Sequence, residues 1–479
     1  MKMLIGGQWR DASDGKTLDV VNPATGEIID TVPSATKADV DEAITRSING
    51  QKEWAAMPLH KRAEILRRFC ALIDEHHEEL SRTMSQEMGK PIREARGEFA
   101  IIKQLFNGFI EVANTHLETA NPISGFQAGK EKDFECTIRE PIGTIVCIVP
   151  FNGPTSLFSH KAAPALVAGN AVIAKAPSDD PLTLLKIGGL LMKAGVPGDT
   201  FQLLTGSGAE CGEWLCSDPR IAKVSFTGST ETGLRINELC AKHLTRTTLE
   251  LGGNAPHVVL EDADIDLAVA EAIQNRAAYS NGQICATSKR FIIHKAVKKE
   301  FTEKLIEGLS KIKMGDPSKE DTAVGTLISE KAAQKVEAQV QKTVDQGAKL
   351  IYGGVRNGAF YQAAVLDGVV TGMDVAHDME IFGPVFPLME FETEEDAIRL
   401  ANDTQYGLGA SVFTRDMKKA FRFMRELQAG MVVINGNSFY RSILTPFGGT
   451  KMSGLGREGL SVTLDEVTQI KTMVFKNIF

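Results

Sequence analysis

From about residue 139 the sequence alternates short β-rich runs with helix-like stretches, and that alternation limits the possible folds more than any other feature. The segments 143–150 (GTIVCIVP), 171–175 (AVIAK), 201–204 and 221–227 (IAKVSFT) read as strands, with 182–194 as a helix between them. Parallel neighbours need a long crossover connection, which a helix supplies. Apolar runs this continuous also need cover on both faces. An α/β architecture with a parallel sheet follows.

The pattern resumes after residue 250. The segments 257–260, 290–294, 387–392 and 431–435 read as strands, and 267–280, 297–311, 330–346 and 393–402 as helices. This is a second α/β unit, as expected of 479 residues, too many for one ordinary domain. Ahead of both units, 36–57 and 59–88 carry apolar residues at helical spacing until Pro91 interrupts them. The tail 467–475 (VTQIKTMVF) is a strand with no later helix to cover it. Such a strand is expected to pair with another sheet or another chain.

Composition narrows the function. A net charge of −8 argues against a nucleic-acid groove or a basic membrane-binding face. No apolar run approaches the ~20 residues of a membrane span. The opening MKMLIGGQWRDASDG meets Gly, Trp, Arg and Asp too early for a signal peptide, so a cytoplasmic location is expected. Seven cysteines stand apart, with no CxxC or Cys/His cluster, which points to neither a disulfide framework nor a metal site.

Four segments carry chemistry. In 281–285 (NGQIC) a cysteine follows a Gly-Gln loop at a helix end, a place for an exposed nucleophile, although a lone cysteine is more often a small buried hydrophobe. In 249–254 (LELGGN) Glu250 sits between leucines before two glycines. Desolvation there would raise its pKa towards that of a general base, while the plain alternative is a solvated carboxylate before a turn. In 226–233 (FTGSTETG) glycines stand between a strand and a helix, where backbone N–H groups can meet a phosphate or simply form a βα turn. In 150–154 (PFNGP) an amide side chain is fixed between prolines at the end of a strand, the end at which α/β sheets bind ligands.

In this order and at these separations, the four segments resemble the aldehyde dehydrogenase superfamily over essentially the whole chain. The likeness continues through 380–384 (EIFGP), 406–408 (YGL), 446–451 (PFGGTK) and 453–459 (SGLGREG). The resemblance implies a Rossmann-type cofactor domain (1–118 and 141–252), an α/β catalytic domain (253–464) and a small β oligomerisation element (119–140 and 465–479). It implies a homodimer or homotetramer in which the tail strand joins a neighbour's sheet. It also makes Cys285 the nucleophile that forms a thiohemiacetal and then a thioester. Asn152 becomes an oxyanion donor, and Glu250 the base that activates water. For the cofactor, NADP or NAD, it implies Lys175 and Ser178 at the adenine-side ribose, Gly228 and Ser229 at the pyrophosphate, Glu380 at the nicotinamide ribose, and Phe382 beside the nicotinamide.

Two departures from the family pattern are informative. Phe151 replaces the usual tryptophan at the nicotinamide end. Ser178 stands where strictly NAD-using members commonly carry glutamate, and its loss of negative charge favours NADP. Asp179 and Asp180 would oppose this if they faced the ribose. Arg441 resembles an arginine of members acting on small polar or anionic aldehydes, lactaldehyde or semialdehyde types. His160 and Arg290 are candidate partners for it in an anion pocket. Against this, Asn107 stands where several anion-specific relatives have arginine, and Phe106, Phe109, Phe158 and Phe439 could line an apolar tunnel instead. A CoA-acylating dehydrogenase is the neighbouring chemistry, disfavoured by the presence of Glu250.

Overall fold

In the computed structural model, which describes residues 1–121, 129 and 132–477, the first unit is built on an eight-stranded sheet. Its spatial order is Gln8–Arg10, Met3–Ile5, Phe201–Leu204, Ala171–Lys175, Thr144–Ile148, Lys223–Thr227, Arg246–Glu250 and Gly454–Leu455. The strands from Phe201–Leu204 to Arg246–Glu250 pair in parallel, with Ile145 opposite Val172 and Val146 opposite Val224. Alternate residues feed different cores: Ile145 and Cys147 pack on one face, Val146 and Ile148 on the other. A strand buried on both faces has no polar side to show, which is why GTIVCIVP reads as one apolar run.

The chain leaves Thr144–Ile148 for Ala171–Lys175 on one side, then returns to Lys223–Thr227 on the other. The carboxyl ends of strands at such a reversal frame a crevice, the general ligand site of open α/β sheets. Lys175, Thr227 and Glu250 end three of these strands.

The second unit has seven strands in the order Lys349–Tyr352, Ala364–Val369, Val385–Phe391, Ser288–His294, Ala255–Val259, Gly409–Phe413 and Met431–Ile434. Its two cores divide neighbours in the same way, Ile292 to one face and Phe291 with Ile293 to the other. The expected boundary of this unit at residue 464 needs correction. Gly454–Leu455 pairs with Leu249 and Glu250 of the first sheet, and Leu460, Leu464 and Val467 pack into the first unit's core. Apolar positions on the helix Leu460–Glu466 decide this, because they are buried against the first unit rather than the second.

The tail strand Thr468–Phe475 runs antiparallel to Phe134–Pro141 of its own chain, in register from Thr468↔Pro141 to Phe475↔Phe134, and Glu118–Asn121 lies on the far side. It is the edge of this three-stranded sheet, with Ile470, Val474 and Phe475 exposed. Of the expected oligomerisation element, 122–128, 130–131 and 478–479 lie outside the described residues. No helix among the described residues is long and apolar enough to cross a membrane.

Candidate active site

The loop that carries Cys285 is forced into shape by its neighbours. The helix Ile265–Ile273 runs into a π turn, Gln274–Ala278, from which Arg276 reaches under the loop. Its guanidinium donates to the carbonyl oxygens of Gly282, Val385 and Ile381 and to Thr287 Oγ1, at 2.6–3.1 Å. Ser280, Asn281 and Gly282 then take three successive left-handed conformations, with φ of 46°, 49° and 73°. A side chain at Gly282 would place its Cβ 2.6 Å from the carbonyl oxygen of Arg276. Two non-glycine residues held left-handed cost about 1–3 kcal/mol each, and such strain collects where a loop must present a group in one orientation.

Cys285 follows, free and partly buried. Burial pushes its thiol up to about 11; Lys289 and Arg441 act against that, while Glu380 and Glu250 add to it. Two carboxylates and two cations therefore act on one sulfur. Asn152 is tied to the same loop, its Nδ2 donating to the carbonyl of Gln283 at 2.9 Å. Glu250 is 3% exposed, and neither of its oxygens has a hydrogen-bond partner among the described residues. Burial first, and then Glu458, raises its pKa well above the usual carboxylate range.

Beside these groups lies a cavity of about 280 Å³ bounded by Asn152, His160, Tyr279, Ile284, Phe439 and Arg441, with Glu98 at its side. Arg441, one of its lining residues, belongs to a buried charge cluster. Glu458 takes Lys161 Nζ at 2.8 Å and Arg441 at close contact. Burial opposes its ionisation, yet these two cations hold it well below the ordinary range. His160 is kept neutral by burial and by Arg441, and its Nδ1 has no partner among the described residues.

A second group of residues lines the carboxyl ends of the first sheet. Lys175 Nζ donates to Ser178 Oγ at 3.0 Å, and Ser178 in turn donates to the carbonyl of Gly206 at 3.1 Å. Ser229 caps the helix Thr230–Ala241, and Gly228 stands so close to Phe226 that a Cβ would lie 2.3 Å from its ring. Towards Cys285, the rings of Phe151 and Phe382 meet edge to face at 5.9 Å. Glu380 accepts from Gly253 N at 3.3 Å. A lysine hydroxyl clamp, a glycine at a helix N-terminus and a carboxylate in line could hold an extended anionic dinucleotide.

The family model for the aldehyde dehydrogenase family matches residues 9–473. The chain belongs to the aldehyde dehydrogenase family. It is an oxidoreductase that acts on an aldehyde with NAD(P). This dehydrogenase is 38% identical over 473 residues to the NADP-dependent succinate-semialdehyde dehydrogenase GabD of Escherichia coli (strain K12), spanning 98% of this chain and 96% of that protein. It is 38% identical over 468 residues to the glutarate-semialdehyde dehydrogenase of Pseudomonas putida, spanning 98% and 96%. Among solved structures it is similar to that of an E. coli NADP-dependent enzyme, with a TM-score of 0.95 at 37% identity over 99% of this chain and 98% of the other.

Not every expected site residue of the dehydrogenase lies at the cavity. Arg290 is fully buried, and its guanidinium donates to the carbonyl oxygens of Asn254, Ala376, Leu400 and Ala401. It is a carbonyl anchor inside the second unit, not part of an anion pocket. Phe106, Phe109 and Phe158 belong to the first unit's core, which leaves Phe439 as the one of the four phenylalanines at the cavity. Asp180 is buried near Glu87 and Glu98, while Asp179 borders a surface cavity with Lys331.

Glu98, Lys161, Tyr279, Lys289 and Glu458 escaped the sequence reading. A signal existed for two of them. Lysines inside the apolar stretches 157–168 and 288–294 need buried acceptors if those stretches are buried.

Proposed function

We propose that the dehydrogenase oxidises a short aldehyde with a distal carboxylate, a semialdehyde, to the corresponding dicarboxylic acid, with NADP preferred. The observation that carries this reading is the pair of donors on the cavity wall. Arg441, which shares Glu458 with Lys161, stands there beside the neutral His160. A carboxylate arriving there finds an Arg fork and a partnerless imidazole nitrogen. The named relatives in E. coli and P. putida, both semialdehyde dehydrogenases, support the same class.

The chain's residues divide the work. Cys285, as thiolate, attacks the aldehyde carbon to give a thiohemiacetal. The oxyanion rests on the Cys285 N–H and on Asn152, whose amide has a second hydrogen beyond the one given to Gln283. NADP or NAD, when bound, accepts the hydride. Cys285 then holds the acyl group as a thioester, and Glu250, desolvated and partnerless, takes a proton from the water that hydrolyses it. A base in that position favours water over CoA as the acceptor. Lys175 and Ser178 hold the adenine-side ribose, Gly228 and Ser229 the pyrophosphate, Glu380 the nicotinamide ribose, and Phe151 with Phe382 the nicotinamide.

A cofactor unit of 1–118 and 141–252, joined by the returning residues from 454 onward, and a catalytic unit from 253 belong to this reading. So do self-association as a dimer or tetramer through the exposed edge of Thr468–Phe475, and a cytoplasmic location.

NADPH formation from a panel of aldehydes, with and without CoA, tests the proposal. Arg441→Ala should cut kcat/KM for a semialdehyde by about 1.5–3 kcal/mol while leaving hexanal and benzaldehyde nearly unchanged. A second reading rests on Tyr279, Ile284 and Phe439, which give the cavity an apolar wall. If the wild type prefers hexanal and the variant treats all aldehydes alike, that reading replaces the first. Ser178→Glu should weaken NADP by about 1–3 kcal/mol relative to NAD, because a carboxylate would face the 2′-phosphate. Equal losses for both cofactors, measured as KM ratios, would place Ser178 away from the ribose.

A further inference from the structure

Lys289 takes no part in the steps above, yet it is built into their centre. It lies in Ser288–His294, a strand buried along almost its whole length, and its side chain is 1% exposed. An ammonium is tolerated in such a place only when acceptors surround it. Three do: the carbonyl oxygens of Ile284 at 2.9 Å and of Cys285 at 2.5 Å, and Glu380 Oε1 at 3.1 Å. Two of the ammonium's hydrogens go to the carbonyls, and the carboxylate completes the ring of acceptors as an ion pair. The carboxylate assigned to the cofactor's ribose is therefore held by a lysine that also grips the nucleophile's own carbonyl.

Glu380 is packed against backbone on one side: a Cβ at Gly252 would stand 2.5 Å from its Oε2. The Phe382 ring lies beside Lys289, its centroid 6.0 Å from Nζ.

We propose that Lys289 is a positioning residue that holds Glu380 in place of the cofactor's ribose and, once the ribose takes Glu380, turns its unshared charge on the Cys285 loop. The proposal rests on the reading of Glu380 and Cys285 given above. Among the charges that face Cys285, Lys289 comes first in favouring the thiolate and Glu380 first in opposing it, with Glu250 opposing and Arg441 favouring more weakly. Lys289 itself faces Glu380 and Arg276. While Lys289 and Glu380 are paired, they oppose each other at the sulfur, and burial keeps the thiol protonated. Ribose hydroxyls donating to Glu380 draw its carboxylate from the ammonium, so that the pull of Lys289 towards the thiolate is less offset. The thiol is guarded until a cofactor is in place.

The test follows Cys285 alkylation by iodoacetamide against pH, located by peptide mass spectrometry, with and without 2′-phospho-ADP-ribose. That fragment carries the ribose hydroxyls but neither the nicotinamide nor its charge. In the wild type, the saturating fragment should move the profile down by about one pH unit, a roughly tenfold faster reaction at neutral pH. Lys289→Met should abolish the shift while binding the fragment as tightly or more tightly by calorimetry, since a competitor for Glu380 is gone. A lysine that merely supported the fold would instead weaken binding when lost. Lys289→Arg should retain the shift, and Glu380→Gln should react fast without any ligand. Should Lys289→Met fail to fold, Glu380→Gln decides the matter. A shift that persists in Lys289→Met, or a Glu380→Gln variant no faster than wild type, overturns the proposal. Failure of the fragment to bind wild type, or alkylation at another cysteine, would overturn the assignment of Glu380 or Cys285 instead.

Discussion

Replacing Cys285 with alanine should lower turnover by about 10⁴-fold or more, with cofactor affinity unchanged. The thiol forms the covalent bond to the substrate, and its loss removes that route entirely. Binding survives because the proposed cofactor contacts come from other strands, at Lys175, Ser178 and the 228–229 turn. NADPH formation and a fluorescence titration of cofactor on the same preparation check both halves. Residual turnover within tenfold of wild type would move the nucleophile elsewhere. Alanine at Cys147 or Cys240 is the matching control. Both thiols are fully buried in the first unit and neither lines the cavity, so activity should persist.

Glu250→Gln should separate the two halves of the reaction. The first turnover should release about one NADPH per site, after which the steady rate should fall about 10²–10⁴-fold as the thioester accumulates. Glutamine keeps the shape of the side chain but cannot take a proton from water. The pH dependence supplies a sign. The working form of Glu250 is ionised, and burial with Glu458 raises its pKa, so wild-type hydrolysis should climb with pH above the ordinary carboxylate range. That climb should be missing from the variant. A lost burst would place Glu250 earlier, at deprotonation of Cys285. An unchanged steady rate would remove it from the reaction altogether.

The parallel sheets were legible because strands buried on both faces leave unbroken apolar runs. The strands 171–175 and 201–204 and the helix 182–194 match the structure residue for residue. The helix Pro154–Ala168 escaped notice because it is buried all round, and a helix without a polar side has no periodicity to read. Likewise 59–88 read as one helix but is two, broken at His76, a change of direction that does not alter the spacing of apolar residues on either side. At the site, Cys285, Glu250 and Asn152 stand inside motifs and could be named in advance. Arg290 could not be placed, since an arginine that binds a substrate and one that binds carbonyl oxygens look alike in sequence. Its neighbour Lys289 has the same ambiguity. Partners far along the chain distinguish the two residues, Glu380 for one and the carbonyls of Leu400 and Ala401 for the other.

The return of the last strands to the first sheet also sets an order of events during synthesis. Lys161 and Glu458 are 297 residues apart, and Gly454 completes the sheet edge beside Glu250. At about 5–20 residues per second, the ribosome leaves the first sheet without its closing edge for many seconds. During that interval Lys161 has no carboxylate, and the hydrophobic surface awaiting Leu460 and Leu464 is bare. Truncations that remove only this segment leave that face bare for good and should be recovered as chaperone-bound or aggregated protein.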